Sequence, residues 1–251
     1  MLRRNFISYC SIGAGVLMQR FASSQERPSY DLIVVGSGAA ALAAAVSASD
    51  EGLKSILVIE KEPIIGGSSA ISGGAIAVSQ TDFQRQQGIN DTDERFFKDL
   101  MKCGGYVNDP ALVKTLVGGI REQYEWIVSK GLSPMKLMAA SGMSLPRSHM
   151  FNSGLLIQLF REELNSRGIR IKTGCRAIEL VQHNSKVVGV LVAHCGKTFF
   201  LQSRKGVVLA TAGFAVSLCT PNEEGESGFR DRIKRRWFLD GIESWCLLCR
   251  R

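Results

Sequence analysis

Gly36, Gly38 and Ala41 have the residue types and spacing of a turn that binds the phosphates of a dinucleotide. They follow the apolar run at residues 31–35 and open an alanine-rich stretch, so the pattern predicts a strand, a tight turn and a helix. Gly36 permits the turn, Gly38 lets the backbone approach a pyrophosphate, and Ala41 keeps the helix close to the sheet. The N-terminus of such a helix presents unpaired N–H groups and the positive end of its dipole. The stretch therefore predicts a nucleotide-binding site.

Glu60 is a second indication of the same site, because it lies 22 residues after Gly38 and ends the apolar run at residues 55–59. A carboxylate at that position can accept hydrogen bonds from both ribose hydroxyls of an adenosine. The alternative interpretation is a structural turn followed by a surface glutamate. We favour the nucleotide site because strand, turn, helix and acidic residue occur together and in order.

The stretch IIGGSSAISGGAI at residues 64–76 decides between NAD and FAD, which share this fingerprint. Its two glycine pairs and its hydroxyl residues are Gly66, Gly67, Gly73, Gly74, Ser68, Ser69 and Ser72. Such a loop can pass close to a large flat cofactor and donate backbone and hydroxyl hydrogen bonds to it. The alternative is a flexible surface linker, but the isoleucines of the stretch argue against full exposure to solvent. The sequence therefore favours FAD.

The remaining pattern predicts the elements that position these residues, in one large α/β domain. Asp109 and Pro110 have the types expected at the N-cap and first position of a helix that runs to Lys130. The residues between 63 and 79 are predicted to form a loop. The other predicted helices span 39–49, 94–103 and 155–166, and the predicted strands span 31–35, 55–59, 170–173, 177–181, 187–193, 198–202 and a last buried run from 206.

Several segments together resemble the fumarate reductase/succinate dehydrogenase flavoprotein family, and within it the soluble flavocytochrome-type fumarate reductases. The segments are GSGAAALAAA at 36–45, VIEK at 58–61, GGSSAISGG at 66–74, GYVNDPALVKTLV at 105–117, LPRSH at 145–149 and VVLATAGF at 207–214. The resemblance covers residues 30–216. It implies a Rossmann-like FAD-binding domain with a parallel sheet and an added antiparallel β-meander. Ala212 departs from the family, which has glycine at this position.

The resemblance also implies the chemistry and the cofactor contacts. FAD would pass a hydride between its N5 atom and an activated C=C or C–C bond of a dicarboxylate-like or enone substrate, with an electron-donor protein as partner. No catalytic residue and no metal ligand carries over to this sequence. The positions that fall on family contacts to FAD are Gly36, Gly38, Ala39, Ala40, Glu60, Lys61, Gly67, Ser68, Ser69 and Gly74.

Arg147 and His149 lie in a family segment that approaches the cofactor. Two alternatives stay open for them, a contact with FAD or an ordinary structural role. His183, in a predicted turn, and His194, at a predicted strand end, are interpreted as surface residues.

The two ends of the chain differ in kind from residues 29–216. Residues 1–28 are interpreted as a targeting segment and linker, and the pair Arg3-Arg4 before Phe6 resembles a twin-arginine export signal, which predicts a periplasmic protein; a mitochondrial presequence is the alternative. Residues 217–251 are interpreted as an atypical tail and as a candidate for disorder, and the family's capping domain is expected to be missing from the chain. Cys246 and Cys249 in this tail are interpreted as incidental.

Composition excludes some classes of function and leaves others open. The net charge of +8 comes from scattered basic residues without a groove-reading motif, so we expect no nucleic-acid partner, and no run of apolar residues is long enough to span a membrane. The favoured function is an FAD-dependent oxidoreductase, truncated before its substrate-binding cap. The alternatives are a catalytically inactive FAD-binding remnant and a small secreted binding protein. An uncovered sheet predicts poor solubility or an oligomer.

Overall fold

The computed structural model describes residues 28–212. Its six helices are α1 (Ala39–Asp50), α2 (Gly67–Ala70), α3 (Asp82–Gln86), α4 (Asp93–Cys103), α5 (Pro110–Ser129) and α6 (Ser153–Ser166). Its strands are β1 (Ser29–Val35), β2 (Ile56–Ile59), β3 (Ala75–Ala77), β4 (Lys136–Met138), β5 (Ser148–Met150), β6 (Arg170–Lys172), β7 (Cys175–His183), β8 (Lys186–His194) and β9 (Lys197–Leu209). The interpretations of residues 1–27 and 217–251 lie outside the described residues.

The main sheet has six strands in the order β6-β2-β1-β9-β8-β7. Strand β1 pairs in parallel with β2 on one edge and with β9 on the other, and β2 pairs in parallel with β6. Strands β7, β8 and β9 pair as an antiparallel meander. The predicted combination of a parallel sheet with an added meander is therefore confirmed.

Both faces of the parallel part are buried, which explains its continuous apolar runs. Leu32 and Val34 point to one face, where they pack with α1, α5 and α6. Ile33 and Val35 point to the other face, where they cluster with Val190 and other meander residues. The sheet is thus covered by helices on one side and by the meander on the other.

Strand β9 corrects one prediction, because residues 198–202 and the run from 206 are a single strand. Its first half pairs antiparallel to β8, from His194↔Lys197 to Gly189↔Gln202, and its second half continues in parallel with β1 as far as Val35↔Leu209. A register shift between Tyr30 and Leu32 of β1 accommodates the change. Next to it, Gly206 N–H donates to Ser203 Oγ (3.2 Å). One strand therefore joins the meander to the parallel sheet.

The predicted loop at residues 63–79 also needs correction, because it contains α2 and β3. Strand β3 pairs antiparallel with β5, which pairs on its other edge with β4, and these form a separate three-stranded sheet. Each of the three strands is three residues long, too short to show an alternating pattern.

The long helices agree with the sequence signals that predicted them. In α5, Asp109 is the N-cap and accepts a hydrogen bond from Ala111 N–H (2.7 Å), with Pro110 at the first position. Helix α6 begins two residues earlier than predicted, because Asn152 caps it by accepting from Leu155 N–H (3.0 Å). Within residues 28–212, no helix has both the length and the hydropathy needed to cross a bilayer.

Replacing Ala212 with glycine should stabilise the fold. Ala212 has a left-handed backbone, φ +63°, which strains any residue with a Cβ atom. We expect Ala212→Gly to raise the free energy of unfolding by about 1 kcal/mol, measured by urea titration. The matched control is Asn184→Gly at φ +49°, where asparagine already tolerates this conformation and the gain should be smaller. A loss of stability in Ala212→Gly would contradict the strain argument.

Candidate functional site

The turn at residues 36–38 joins β1 to α1. It contains two glycines, and the structure favours glycine at the two positions for different reasons. Gly36 has φ +110°, and a Cβ atom on it would overlap the carbonyl group of Ala210 at the end of β9. Gly38 has an ordinary φ of −70°, and a Cβ atom there would lie 3.4 Å from Ser69 Oγ. Gly36 is therefore required by packing, whereas the absence of a side chain at Gly38 leaves space between the turn and the Gly/Ser loop of residues 64–76.

The first turn of α1 has backbone N–H groups that could bind an anion. Gly38 is its N-cap residue and no side chain caps the helix. Ala39 N–H donates to Ser69 Oγ (3.1 Å), and the first helical bond runs from Leu42 N–H to Gly38 O (3.0 Å). The N–H groups of Ala40 and Ala41 consequently have no acceptor within the part of the chain that the structure describes. Together with the helix dipole, such donors suit a phosphate.

Glu60 continues β2 beside this turn and is 8% exposed. Its N–H donates to Lys172 O (2.9 Å) and its carbonyl accepts from Cys175 N–H (2.8 Å). Its carboxylate accepts from Ser37 Oγ–H (2.6 Å, Oε2) and from Glu62 N–H (2.9 Å, Oε1). An ionised carboxylate has about four acceptor positions, so the described residues leave two for further donors such as ribose hydroxyls.

Ser37 is a site residue that the sequence did not indicate. Its side chain is buried and lies between β1, Glu60 and the Gly/Ser loop. Gly66 N–H donates both to Ser37 Oγ (3.0 Å) and to Ser37 O (3.0 Å). Ser37 thus connects the turn by hydrogen bonds to Glu60, the predicted ribose acceptor, and to Gly66 of the Gly/Ser loop.

The other predicted positions take different places. Lys61 is exposed and pairs with Glu62 (Nζ to Oε1, 3.0 Å). Gly67 and Ser68 are exposed in the first turn of α2, next to Ser69. Gly74, at φ +72°, is packed so closely against the carbonyl of Phe151 that a Cβ atom would overlap it, and its own carbonyl accepts from Phe151 N–H (2.9 Å). Of these residues, Gly67 and Ser68 are the ones accessible beside the open helix end.

Arg147 has a structural role, which answers the alternative left open by the sequence. Its side chain is fully buried, and its Nε and Nη2 atoms donate to Asp91 (2.8 Å each), while Nη1 donates to Asp99. The guanidinium lies over the ring of Phe96, 4.9 Å from the centroid. The guanidinium is paired with two buried carboxylates, so Arg147 does not face the candidate site.

His149 is likewise enclosed. Its Nδ1–H donates to Arg147 O (2.8 Å), because a carbonyl can only accept, and Nε2 then accepts from Thr81 Oγ1–H (2.8 Å). Tyr124 lies against the ring with 4.8 Å between centroids. Burial lowers the pKa of His149 below its ordinary value and outweighs the hydrogen bonding to backbone carbonyls, which raises it. This histidine is neutral near pH 7 and supports strand β5.

The buried carboxyl groups of this cluster are held in the charged form. Burial by itself raises the pKa of Asp91, but hydrogen bonds from Arg147 and Gln84 outweigh it and keep the pKa below its ordinary value. Burial also raises the pKa of Asp99, and hydrogen bonds from Arg147 and Ser144 lower it by more. Each carboxyl group therefore depends on Arg147 to remain ionised inside the protein.

These features are those of a nucleotide-binding domain of the flavoprotein type, with a glycine turn, an open helix end, a buried carboxylate beside the turn and a Gly/Ser loop. The family model described as "FAD binding domain" matches residues 31–228. The chain therefore belongs to the FAD binding domain family, and FAD is the cofactor that the open helix end and Glu60 fit.

Similar proteins include two curated reductases and one solved structure. The chain is 35% identical over 203 residues to "Fumarate reductase (cytochrome)" of Shewanella frigidimarina, covering 78% of this chain and 35% of that protein. It is 34% identical over 194 residues to "Urocanate reductase" of Eggerthella lenta, covering 73% of this chain and 32% of that protein. The open conformation of a flavocytochrome c3 fumarate reductase superposes with a TM-score of 0.73 at 27% identity, covering 80% of this chain and 36% of that one. The chain spans about a third of the length of these relatives.

Removing the charge of Arg147 should destabilise the protein strongly and reverse its response to pH. Arg147→Met leaves Asp91 and Asp99 buried without a cation, which costs about 3–5 kcal/mol of unfolding free energy at pH 7. In the parent, the lowered pKa values stabilise the fold above the unfolded value near 3.9, and this contribution is lost as pH falls through the lower folded values. In the variant, burial raises both pKa values, so stability should fall as pH rises from about 4 to 7.

Urea titrations of parent and variant at several pH values between 4 and 7 measure this effect. The matched control is Arg85→Met, which removes an exposed arginine paired with exposed Asp82 and should cost less than about 1 kcal/mol. An equal loss of unfolding free energy in Arg147→Met and Arg85→Met would show that the buried ion pairs stabilise the protein no more than an exposed one.

Proposed function

We propose that residues 29–216 bind FAD with its pyrophosphate at the N-terminus of α1 and its adenosine ribose on Glu60. The observation that carries this proposal is that, among the described residues, the N–H groups of Ala40 and Ala41 have no acceptor and lie beside a carboxylate with two acceptor positions left. Phosphate oxygens satisfy the first and ribose hydroxyls the second, so one dinucleotide completes both.

The Gly/Ser loop extends the proposed site away from the pyrophosphate. Ser69 Oγ already accepts from Ala39 N–H, so this loop lies against the open helix end. Gly67 and Ser68 are exposed there and supply a backbone surface and a hydroxyl without a bulky side chain. We infer that Gly67 and Ser68 contact the cofactor and that the backbone near it is shaped by Gly36, Gly38, Ala39 and Gly74. Lys61 is proposed to contribute positive charge near the adenosine end of FAD.

The reaction we propose is reduction of an activated C=C bond by an FAD-dependent oxidoreductase. Fumarate and urocanate, the compounds in the names of the two relatives, each have a C=C bond conjugated to a carboxylate. Bound FAD supplies the hydride chemistry in such reactions. The described residues bind and orient the cofactor, and none of them is assigned to substrate binding or proton transfer. A dicarboxylate-like or enone substrate and an electron-donor protein complete the proposal.

The remaining proposals concern the ends of the chain and rest on sequence alone. Arg3, Arg4 and Phe6 support a targeting function for residues 1–28 and export to the periplasm. Residues 217–251 are proposed to form a separate tail. The export proposal is tested by mass spectrometry of the N-terminus in bacterial cell fractions. A protein that is cleaved within residues 1–28 and found in the periplasmic fraction is expected.

The full chain should bind FAD and retain its absorption spectrum through gel filtration. Titration with FAD, followed by quenching of flavin fluorescence, measures the dissociation constant. Reduction of fumarate or urocanate by the reconstituted protein, with reduced methyl viologen as electron donor, tests turnover separately. The cofactor proposal would be contradicted if the protein stayed colourless after gel filtration and did not quench the fluorescence of added FAD. Binding without turnover of either compound would contradict the reductase proposal and support the inactive FAD-binding alternative.

A methyl group at Gly38 should weaken FAD binding without unfolding the protein. Its φ of −70° suits alanine, and the added Cβ would make only ordinary contacts with Ser69 and Gly66. We expect Gly38→Ala to raise the dissociation constant for FAD at least about tenfold, because the methyl occupies the space that the pyrophosphate approaches.

Gly119→Ala is the matched control for this change. Gly119 lies inside α5, an added Cβ would meet no atom within 4 Å apart from its own helix backbone, and alanine favours a helix by about 0.5–1 kcal/mol over glycine. It should bind FAD as the parent does and unfold at slightly higher urea concentration. Unchanged FAD affinity in Gly38→Ala would place the pyrophosphate elsewhere.

A further inference from the structure

Ser37 has a hydrogen-bonding arrangement that packing alone does not require. It lies between Gly36 and Gly38, and its side chain is 1% exposed. Its hydroxyl oxygen accepts from Gly66 N–H (3.0 Å) and lies 2.6 Å from Glu60 Oε2. Since the backbone N–H can only donate, the hydroxyl proton is directed to the carboxylate. The hydrogen bond from a hydroxyl to an ionised carboxylate is short and strong.

The carboxylate of Glu60 is thereby held from two sides. Ser37 holds Oε2, Glu62 N–H holds Oε1 (2.9 Å), and the backbone of Glu60 is fixed between Lys172 and Cys175. A side chain held at both oxygens and at its backbone has little rotational freedom. Its two free acceptor positions consequently point in fixed directions before any ligand binds, which lowers the entropic cost of binding.

We propose that Ser37 is a positioning residue that aims the Glu60 carboxylate at the adenosine ribose and so sets the preference of the site for ribose hydroxyls. This inference rests on the proposed contact between Glu60 and FAD. Because Gly66 N–H donates to the same hydroxyl, Ser37 also fixes the start of the Gly/Ser loop relative to the ribose acceptor. The distinguishing consequence is a change in selectivity, since a purely structural serine would affect all ligands alike.

The experiment compares FAD with an FAD analogue that lacks the 2′-hydroxyl of the adenosine ribose. Dissociation constants of both are measured by flavin fluorescence for the parent, Ser37→Ala, Glu60→Gln and the double variant. The parent should prefer FAD by at least about tenfold, the size expected for a hydrogen bond to a charged acceptor. Ser37→Ala should lose most of this preference, and it should change the preference no further in the Glu60→Gln background.

Ser203→Ala is the matched control. Ser203 is also a buried serine whose hydroxyl bonds to backbone oxygens, those of Asp31 (3.2 Å) and Gly206, but it does not contact Glu60. This variant should lose stability and keep the parent's preference for FAD. If Ser37→Ala does not fold, Ser37→Cys replaces it, because a thiol occupies a similar volume but is a weak donor, and the same loss of preference is expected.

Three results would overturn the proposal. Full preference in Ser37→Ala, or in Ser37→Cys, would show that the serine has only a structural role. A loss of preference that is equally large in Ser203→Ala would show a general effect of lost stability. A parent that binds FAD but does not distinguish the 2′-deoxy analogue would remove the ribose contact of Glu60, while FAD binding itself would stand.

Discussion

Strand β1 is hydrogen-bonded along both edges, and the position of the whole candidate site depends on this constraint. Pairing with β2 and β9 leaves the strand no freedom to slide, because a shift of one residue would exchange its two buried faces. The turn after Val35 therefore emerges at a fixed point of the sheet. The carbonyl of Ala210, which directly follows β9, closes one side of that turn, so only glycine fits at position 36.

The site built on this edge is made of groups that folding alone does not satisfy. Within residues 28–212, two N–H groups in the first turn of α1 and part of the Glu60 carboxylate have no partner, although buried polar groups are normally paired. A bound cofactor that satisfies them stabilises the folded state in proportion to its affinity and concentration. Arg147, Asp91 and Asp99 show the opposite arrangement, since every charge there is paired inside the protein. The contrast separates polar groups that still have hydrogen-bonding capacity from polar groups that are fully paired within the scaffold.

The sequence predicted those parts of the fold whose signals are local. Helix α5 has its N-cap and first-turn proline next to each other, and the β1-α1-β2 unit has a continuous pattern of apolar runs and glycines, so both were predicted within a residue or two. The small sheet was missed, because its three-residue strands have no period of their own and because β3 pairs with β5 across about seventy residues. The continuity of β9 was missed because Gly206 looks like a strand boundary, whereas in the structure it lies inside the strand, paired with Leu32 just after the register shift.

The candidate site shows the same division between local and distant information. The turn at Gly38 and the position of Glu60 at the end of β2 could be predicted, because both follow from residue type and spacing within one β-α-β unit. Ser37 could not, because its role exists only when Glu60 and Gly66, more than twenty residues away, are brought to it. Arg147 and His149 lie in a segment shared with the family, yet the structure gives both of them internal partners. A shared motif therefore marks where a fold is similar, and only the hydrogen-bond partners of each residue separate a cofactor contact from a support.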